Sequence, residues 1–219
     1  MRHTLLVLLP LTACFDLGGG GKAGDSGETE STEVDGADGP QGSDGSDGSD
    51  GSDGSSASSC ALSAEEQRLF DLINDYRQDN GLPAVACSPS LSVVARTHAT
   101  DLREEAPHAE AACNLHSWSD AGAWTACCYT SDHAEAACMW DKPRELTDYP
   151  SNGFEISYAS SGGASAEGAL AGWQGSPGHN QVILNLEAWE DWPWLAMGVG
   201  IDGEFANVWF GAEADPAGR

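Results

Sequence analysis

Several stretches of this chain carry a periodic pattern of apolar positions. Ser63-Ala64-Glu65-Glu66 is a capping box set before Leu69, Phe70, Leu72, Ile73 and Tyr76, which recur near helical spacing until Asn80-Gly81, so a first helix is predicted there. A second begins at Ser88-Pro89, with serine as cap and proline in the first turn, and sets Leu91, Val94, Ala95, His98 and Leu102 along one stripe. That stripe turns His98 toward the core, where a buried histidine is either a hydrogen-bonded core residue or a ligand. A third helix carries Ala166, Ala169, Leu170 and Trp173 at i, i+3, i+4 and i+7. It is expected to stop at Gly175-Ser176-Pro177-Gly178, a turn that presents His179. Met197, Val199 and Ile201 then alternate with small residues, Asp202-Gly203 supplies a tight turn, and residues 205–210 return as a second strand. Helices followed by antiparallel strands predict an α+β fold of helices layered on a small antiparallel sheet.

Residues 106–150 break the pattern. They are irregular, hold Cys113, Cys127, Cys128 and Cys138, and include Trp118, Trp124 and Trp140, so they read as a disulfide-rich insertion without regular structure. The start of the chain differs again. The apolar run at residues 5–13 is about ten residues long, too short for a membrane span, and reads as an export signal over residues 1–13. Leu11-Thr12-Ala13-Cys14 resembles the lipobox of bacterial lipoproteins, which implies lipidation at Cys14 and attachment to a membrane; an ordinary cleaved signal is the alternative. Residues 14–59 then form an acidic Gly/Ser/Asp tether with four Gly-Ser-Asp units between Gly42 and Asp53, a composition too poor in apolar residues to build a core. Calcium binding by those aspartates is the alternative, although such sites need convergent oxygens at more varied spacing.

The formal net charge of −26 and the absence of any basic run exclude a nucleic-acid partner. Residues 60–219 have the length of one domain with a real core. Of the 7 cysteines, setting Cys14 aside leaves an even set of Cys60, Cys87, Cys113, Cys127, Cys128 and Cys138, which in an exported protein implies disulfides. Cys60 can pair with Cys87, because a helix of ~17 residues runs ~25 Å out and the extended residues after it can return ~23 Å. The remaining four would pair among themselves, or hold zinc with His133, though their spacing lacks paired Cys-x-x-Cys knuckles.

Two histidines and a glutamate, His116, His179 and Glu155, are the candidate chemistry. Such a set can bind a divalent metal, form a base and its orienter, or hold a loop by hydrogen bonds.

The order of these elements resembles a known family. Residues 66–82 are similar to its opening helix, residues 95–102 to its "HAxDM" element, and His116-Ser117 to its first site histidine. Gly153-Phe154-Glu155-Ile156 resembles "GENI", Trp173 to Leu184 resembles "W…SPGHRxNIL", and Met197-Gly198-Val199-Gly200-Ile201 with Ala206-Asn207-Val208-Trp209-Phe210-Gly211 matches its closing strands. The chain is similar to CAP (SCP) domains, those of cysteine-rich secretory, antigen 5 and pathogenesis-related proteins. The resemblance implies a three-layer α-β-α sandwich whose cavity is lined by two histidines and two glutamates that bind a divalent metal in some members. Here it implies His116 and His179 as metal residues, Zn or Mg, with Glu155 as a further one; no cofactor is required. The second glutamate falls near Ser176, Glu167 lies on the wrong side of Trp173, Phe154 shifts Glu155 one place from its glycine, and Asn180 replaces a common arginine. The function implied is a lipid-anchored, extracytoplasmic binding module of a bacterial cell envelope for a lipid, sterol-like or protein ligand. The alternative is a divalent-metal-dependent, peptidase-like hydrolase in which His116, Glu155 and His179 are catalytic; no nucleophile elbow surrounds Ser176.

Overall fold

The computed structural model describes residues 60–218. The expected signal, Cys14 and the acidic tether lie outside the described residues.

α1 (Ala64–Asp79) begins with the capping box. The Ser63 side chain accepts the Glu66 amide at 3.3 Å, and the Glu66 carboxylate accepts the Ser63 amide at 2.8 Å. Its buried residues Leu69 and Ile73 face the core, and the chain leaves the helix through Gly81 at φ +78°, a left-handed conformation open to glycine. Arg77, buried on the same helix, donates to Pro83 O at 3.2 Å, to Asn185 Oδ1 at 2.7 Å and to the Ile183 carbonyl, so it ties the helix to the later loops. Burial lowers its pKa to about 10.

α2 (Pro89–Glu104) is capped by Ser88, whose side chain accepts the Leu91 amide at 3.0 Å. Asp215, returning from the far end of the chain, accepts from Ser88 Oγ at 2.5 Å, from the Ser90 amide at 2.8 Å and from Ser90 Oγ at 2.9 Å. The helix runs along β2 (Ala196–Asp202) and β3 (Phe205–Gly211) at a separation that only glycine permits. A Cβ on Gly198 would lie 2.1 Å from the backbone of Leu91, and one on Gly200 would lie 2.3 Å from the Arg96 nitrogen.

The small antiparallel sheet is completed by β1 (Phe154–Ala159), in the order β1-β3-β2. Phe154 opposes Phe210 and Glu155 opposes Trp209, which in turn opposes Gly198. Successive side chains alternate between faces. Phe154, Ile156, Met197, Val199, Val208 and Phe210 therefore join α1, α4 (Ala166–Gln174) and α5 (Pro177–Ile183) in the larger core. Trp209 and Ala196 face the other way, toward Leu91, Val94, Ala95 and Trp118. The result is the expected α-β-α sandwich, with a disulfide-rich insertion on the α2 side.

Two local expectations need correction. Residues 106–150 are not wholly irregular, since they contain α3 (Ala136–Leu146). Its buried residues Ala136, Met139, Lys142 and Pro143 pack one side, but a charged and an imino residue among them hid the helical period. Pro143 costs the helix a backbone donor, and its own carbonyl receives the Thr147 amide at 3.0 Å and hydroxyl at 2.6 Å, which closes the helix. Ser176-Pro177-Gly178-His179 is likewise not a plain turn. Ser176 is the N-cap position and Pro177 the first-turn proline of α5, so His179 stands on a helix.

All six domain cysteines are paired as Cys60–Cys87, Cys113–Cys128 and Cys127–Cys138, with Cα separations of 6.2, 4.9 and 6.3 Å. The Cys60–Cys87 pairing is the one expected from helix length. The other two bridges close the zinc alternative, because they leave no thiolate among those four residues.

Candidate functional site

Strand parity sets the site. Phe154 and Ile156 enter the larger core, so Glu155 between them points to the α2 face, where it is 4% exposed. His98, on the buried stripe of α2, brings Nδ1 to 2.5 Å from Glu155 Oε1. The loop that follows Cys113 brings His116 Nδ1 to 2.9 Å from Glu155 Oε2. One carboxylate thus holds two imidazoles, one with each oxygen.

Each partner is held in turn. His98 Nε2 lies 2.9 Å from the Ser117 carbonyl oxygen, an acceptor only, so that nitrogen carries a proton. His98 also lies flat on Trp118, and the indole packs edge-on against Trp209. The His116 amide donates to Asn114 Oδ1 at 3.0 Å, and the Ser117 amide to the Asn114 carbonyl at 3.0 Å, so a single turn carries both residues. Ser117 Oγ accepts the Tyr129 amide at 2.9 Å, and the Tyr129 ring meets His116 edge-on. The Tyr129 hydroxyl is 2.9 Å from His133 Nδ1.

Opposed effects act on Glu155. Burial, the largest single influence, raises its pKa, whereas the charge of His98 and the hydrogen bonds of His116 and His98 lower it. The imidazoles together outweigh burial, and the pKa falls to about 2. Glu155 is an anion with both oxygens committed.

The remaining candidates stand on other elements. His179 is half-buried in the first turn of α5. Ser176, buried at the position of the missing second carboxylate, donates its amide to Trp173 O at 3.1 Å and accepts the Asn180 amide at 2.9 Å. Glu167 is exposed and paired with Arg68 at 2.8 Å. Asn180 Oδ1 accepts from the Tyr76 hydroxyl at 2.8 Å. Among the described residues no group of three or more His, Cys, Asp or Glu side chains is arranged to hold a metal ion. Both Glu155 oxygens already serve imidazoles, so Glu155 would orient a metal-ligating histidine such as His116 rather than ligate a metal itself.

His98, which the sequence left as either a hydrogen-bonded core residue or a ligand, is a site residue bonded to Glu155. The available signals were its place on the α2 stripe and the apolar residues flanking Glu155, which aim helix and strand at one another.

Three disulfides belong to an oxidising compartment, so the domain is extracytoplasmic. Among the described residues no helix is long and apolar enough to cross a membrane. The fold and the His/Glu cluster define an extracytoplasmic α-β-α sandwich closed around a buried carboxylate. The profile of the cysteine-rich secretory protein family, CAP, matches residues 70–188, and the chain belongs to that family. Among solved structures it is similar to an extracellular protein containing an SCP domain from Bacillus anthracis, at 21% identity and a TM-score of 0.43 over 67% of this chain and 39% of that one. It is also similar to a cysteine-rich secretory protein from Staphylococcus aureus, at 16% identity and a TM-score of 0.40 over 67% of this chain and 38% of that one. The chain therefore spans less than half the length of either protein. No curated protein matches it.

Proposed function

We propose that this chain is an envelope-anchored binding module that holds a lipid, sterol-like or protein ligand at its extracytoplasmic CAP domain. The observation that carries the reading is the state of Glu155. A general base works best with a pKa near the operating pH and an oxygen facing the proton it takes, whereas Glu155 has a pKa of about 2 and both oxygens on imidazoles. Such a carboxylate fixes the rings and does not activate water. Lipid on Cys14 attaches the module to the membrane, with the acidic stretch as its link to the domain.

The mature full chain is tested with a fluorescent sterol and with phosphatidylglycerol–phosphatidylethanolamine vesicles, beside a panel of peptide and ester substrates. Saturable binding of one apolar probe, weakened about tenfold in His116→Ala (about 1.4 kcal/mol), with no turnover of the panel, is expected. Turnover by the wild type that disappears in His116→Ala contradicts the reading. Cys14→Ser moves the protein from the membrane to the soluble fraction.

A further inference from the structure

The sulfurs of the two disulfides of the insertion differ in the charge beside them, and among the described residues only Cys138 has a cation in contact. Cys113, Cys128 and Cys127 line a cleft of about 590 Å³ whose charged residues are Glu105, Glu110 and Asp120, and Cys113 Sγ lies 3.8 Å from Glu110 Oε2, so the Cys127 end of its bridge shares this acidic side. Cys138 opens on a separate cleft of about 450 Å³ shared with Lys142, Arg144, Asp141 and Glu145. The Lys142 side chain is fully buried, and its ammonium donates to Cys138 Sγ at 3.6 Å, to the Thr125 carbonyl at 2.5 Å and to Glu145 Oε2 at 2.6 Å.

Thiol–disulfide exchange proceeds by attack of a thiolate, and negative charge spreads over three sulfurs in the transition state. An ammonium beside the attacked sulfur attracts the thiolate and stabilises that charge, while a ring of carboxylates repels it. We propose that Cys127–Cys138 is a thiol-exchange site, opened from the Cys138 side by a small monothiol or dithiol with Lys142 as its electrostatic activator, while Cys60–Cys87 and Cys113–Cys128 are structural bridges.

The incoming thiolate attacks Cys138 Sγ in its cleft. The Cys127–Cys138 bond breaks, its electron pair leaves on Cys127 Sγ, and a mixed disulfide forms on Cys138. A second thiolate attacks the sulfur of the bound thiol, releasing the small-molecule disulfide and a Cys138 thiolate beside Lys142. Two thiols are oxidised to one disulfide and one protein disulfide is reduced, so electrons balance.

Opening this bridge reaches the buried site. The Trp118 amide donates to the Cys127 carbonyl at 2.8 Å, the Cys127 amide donates back at 3.1 Å, and Trp118 covers His98. Reduction therefore loosens the strap that carries the ring over His98.

The test is exposure of the oxidised full chain to graded reduced glutathione, followed by differential alkylation and peptide mass mapping. Cys127 and Cys138 are expected to open about tenfold faster than the other pairs, with trapped glutathione on Cys138. Lys142→Met is expected to slow that opening about tenfold. Amide exchange at Trp118 and Cys127 should rise once the bridge opens. Equal or earlier opening of another bridge, or glutathione trapped on Cys127, overturns the proposal. The wild-type order of opening decides this even where Lys142→Met does not fold, and an unchanged rate in a folded Lys142→Met overturns the role of Lys142.

Discussion

The imidazole of His98 lies flat against the indole of Trp118, with ring centroids 4.2 Å apart and planes 9° from parallel. This stack joins α2 to the insertion on the histidine that holds Glu155, and Trp118 is 2% exposed. Trp118→Ala removes one of the largest buried side chains and is expected to cost about 3–5 kcal/mol. Urea unfolding checks it. Trp118→Phe should recover a large part of the loss, because an aromatic face remains on His98; equal losses in both variants would place the stabilisation outside the stack.

Asp215 fastens the end of the domain to the start of α2 through Ser88 and Ser90. Asp215→Ala leaves those buried donors unpaired and is expected to cost about 3 kcal/mol by urea unfolding at neutral pH. Ser90→Ala should cost less, since Ser88 and the backbone amides still reach the carboxylate. A neutral Asp215→Ala would mean that this return segment is held by packing alone.

Gly200→Ala tests the close approach of α2 to β2. The added methyl meets helix backbone that cannot turn aside, so a loss of about 3 kcal/mol or more, or failure to fold, is expected. Thermal melting of the purified variant reads it, and a melting temperature equal to the wild type's would show that the layers sit further apart.

Much of this arrangement was legible in the sequence. The capping box, the Ser88-Pro89 start, the alternation over residues 196–210 and the Cys60–Cys87 spacing are local signals, and each reappears in the fold. α5 and α3 were hidden because one is short and begins at a proline usually read as a stop, while the other buries Lys142 and Pro143. The pairing of His98 with Glu155 joins residues 57 apart. It depends on strand parity and on the distance between α2 and the sheet, which no local pattern encodes. His116 and Glu155 meet across the insertion and β1, and His179 stands on α5, a helix that the sequence showed only as a turn.

Glu155 also predicts a pH dependence. Its carboxyl falls from the ordinary 4.5 to about 2 in the folded protein, so the unfolded chain binds the proton more readily. The stabilisation is fully present above about pH 4.5 and is lost as pH falls toward 2, a difference of about 3 kcal/mol. Urea unfolding between pH 6 and 2 should show this loss in the wild type and a flatter curve in Glu155→Gln, whose amide does not titrate. Parallel curves would assign acid sensitivity to other groups.

Glu155 is an anion divided between two histidines and committed to holding the site in shape. A carbon-13 titration of the Glu155 carboxyl by NMR measures this directly, with Glu155→Gln to assign the signal. A carboxylate shift unchanged down to about pH 3, with a midpoint near 2, is expected. A midpoint at or above the ordinary glutamate value of 4.5 would contradict it, showing that burial overrides the imidazoles and that the group is available for proton transfer.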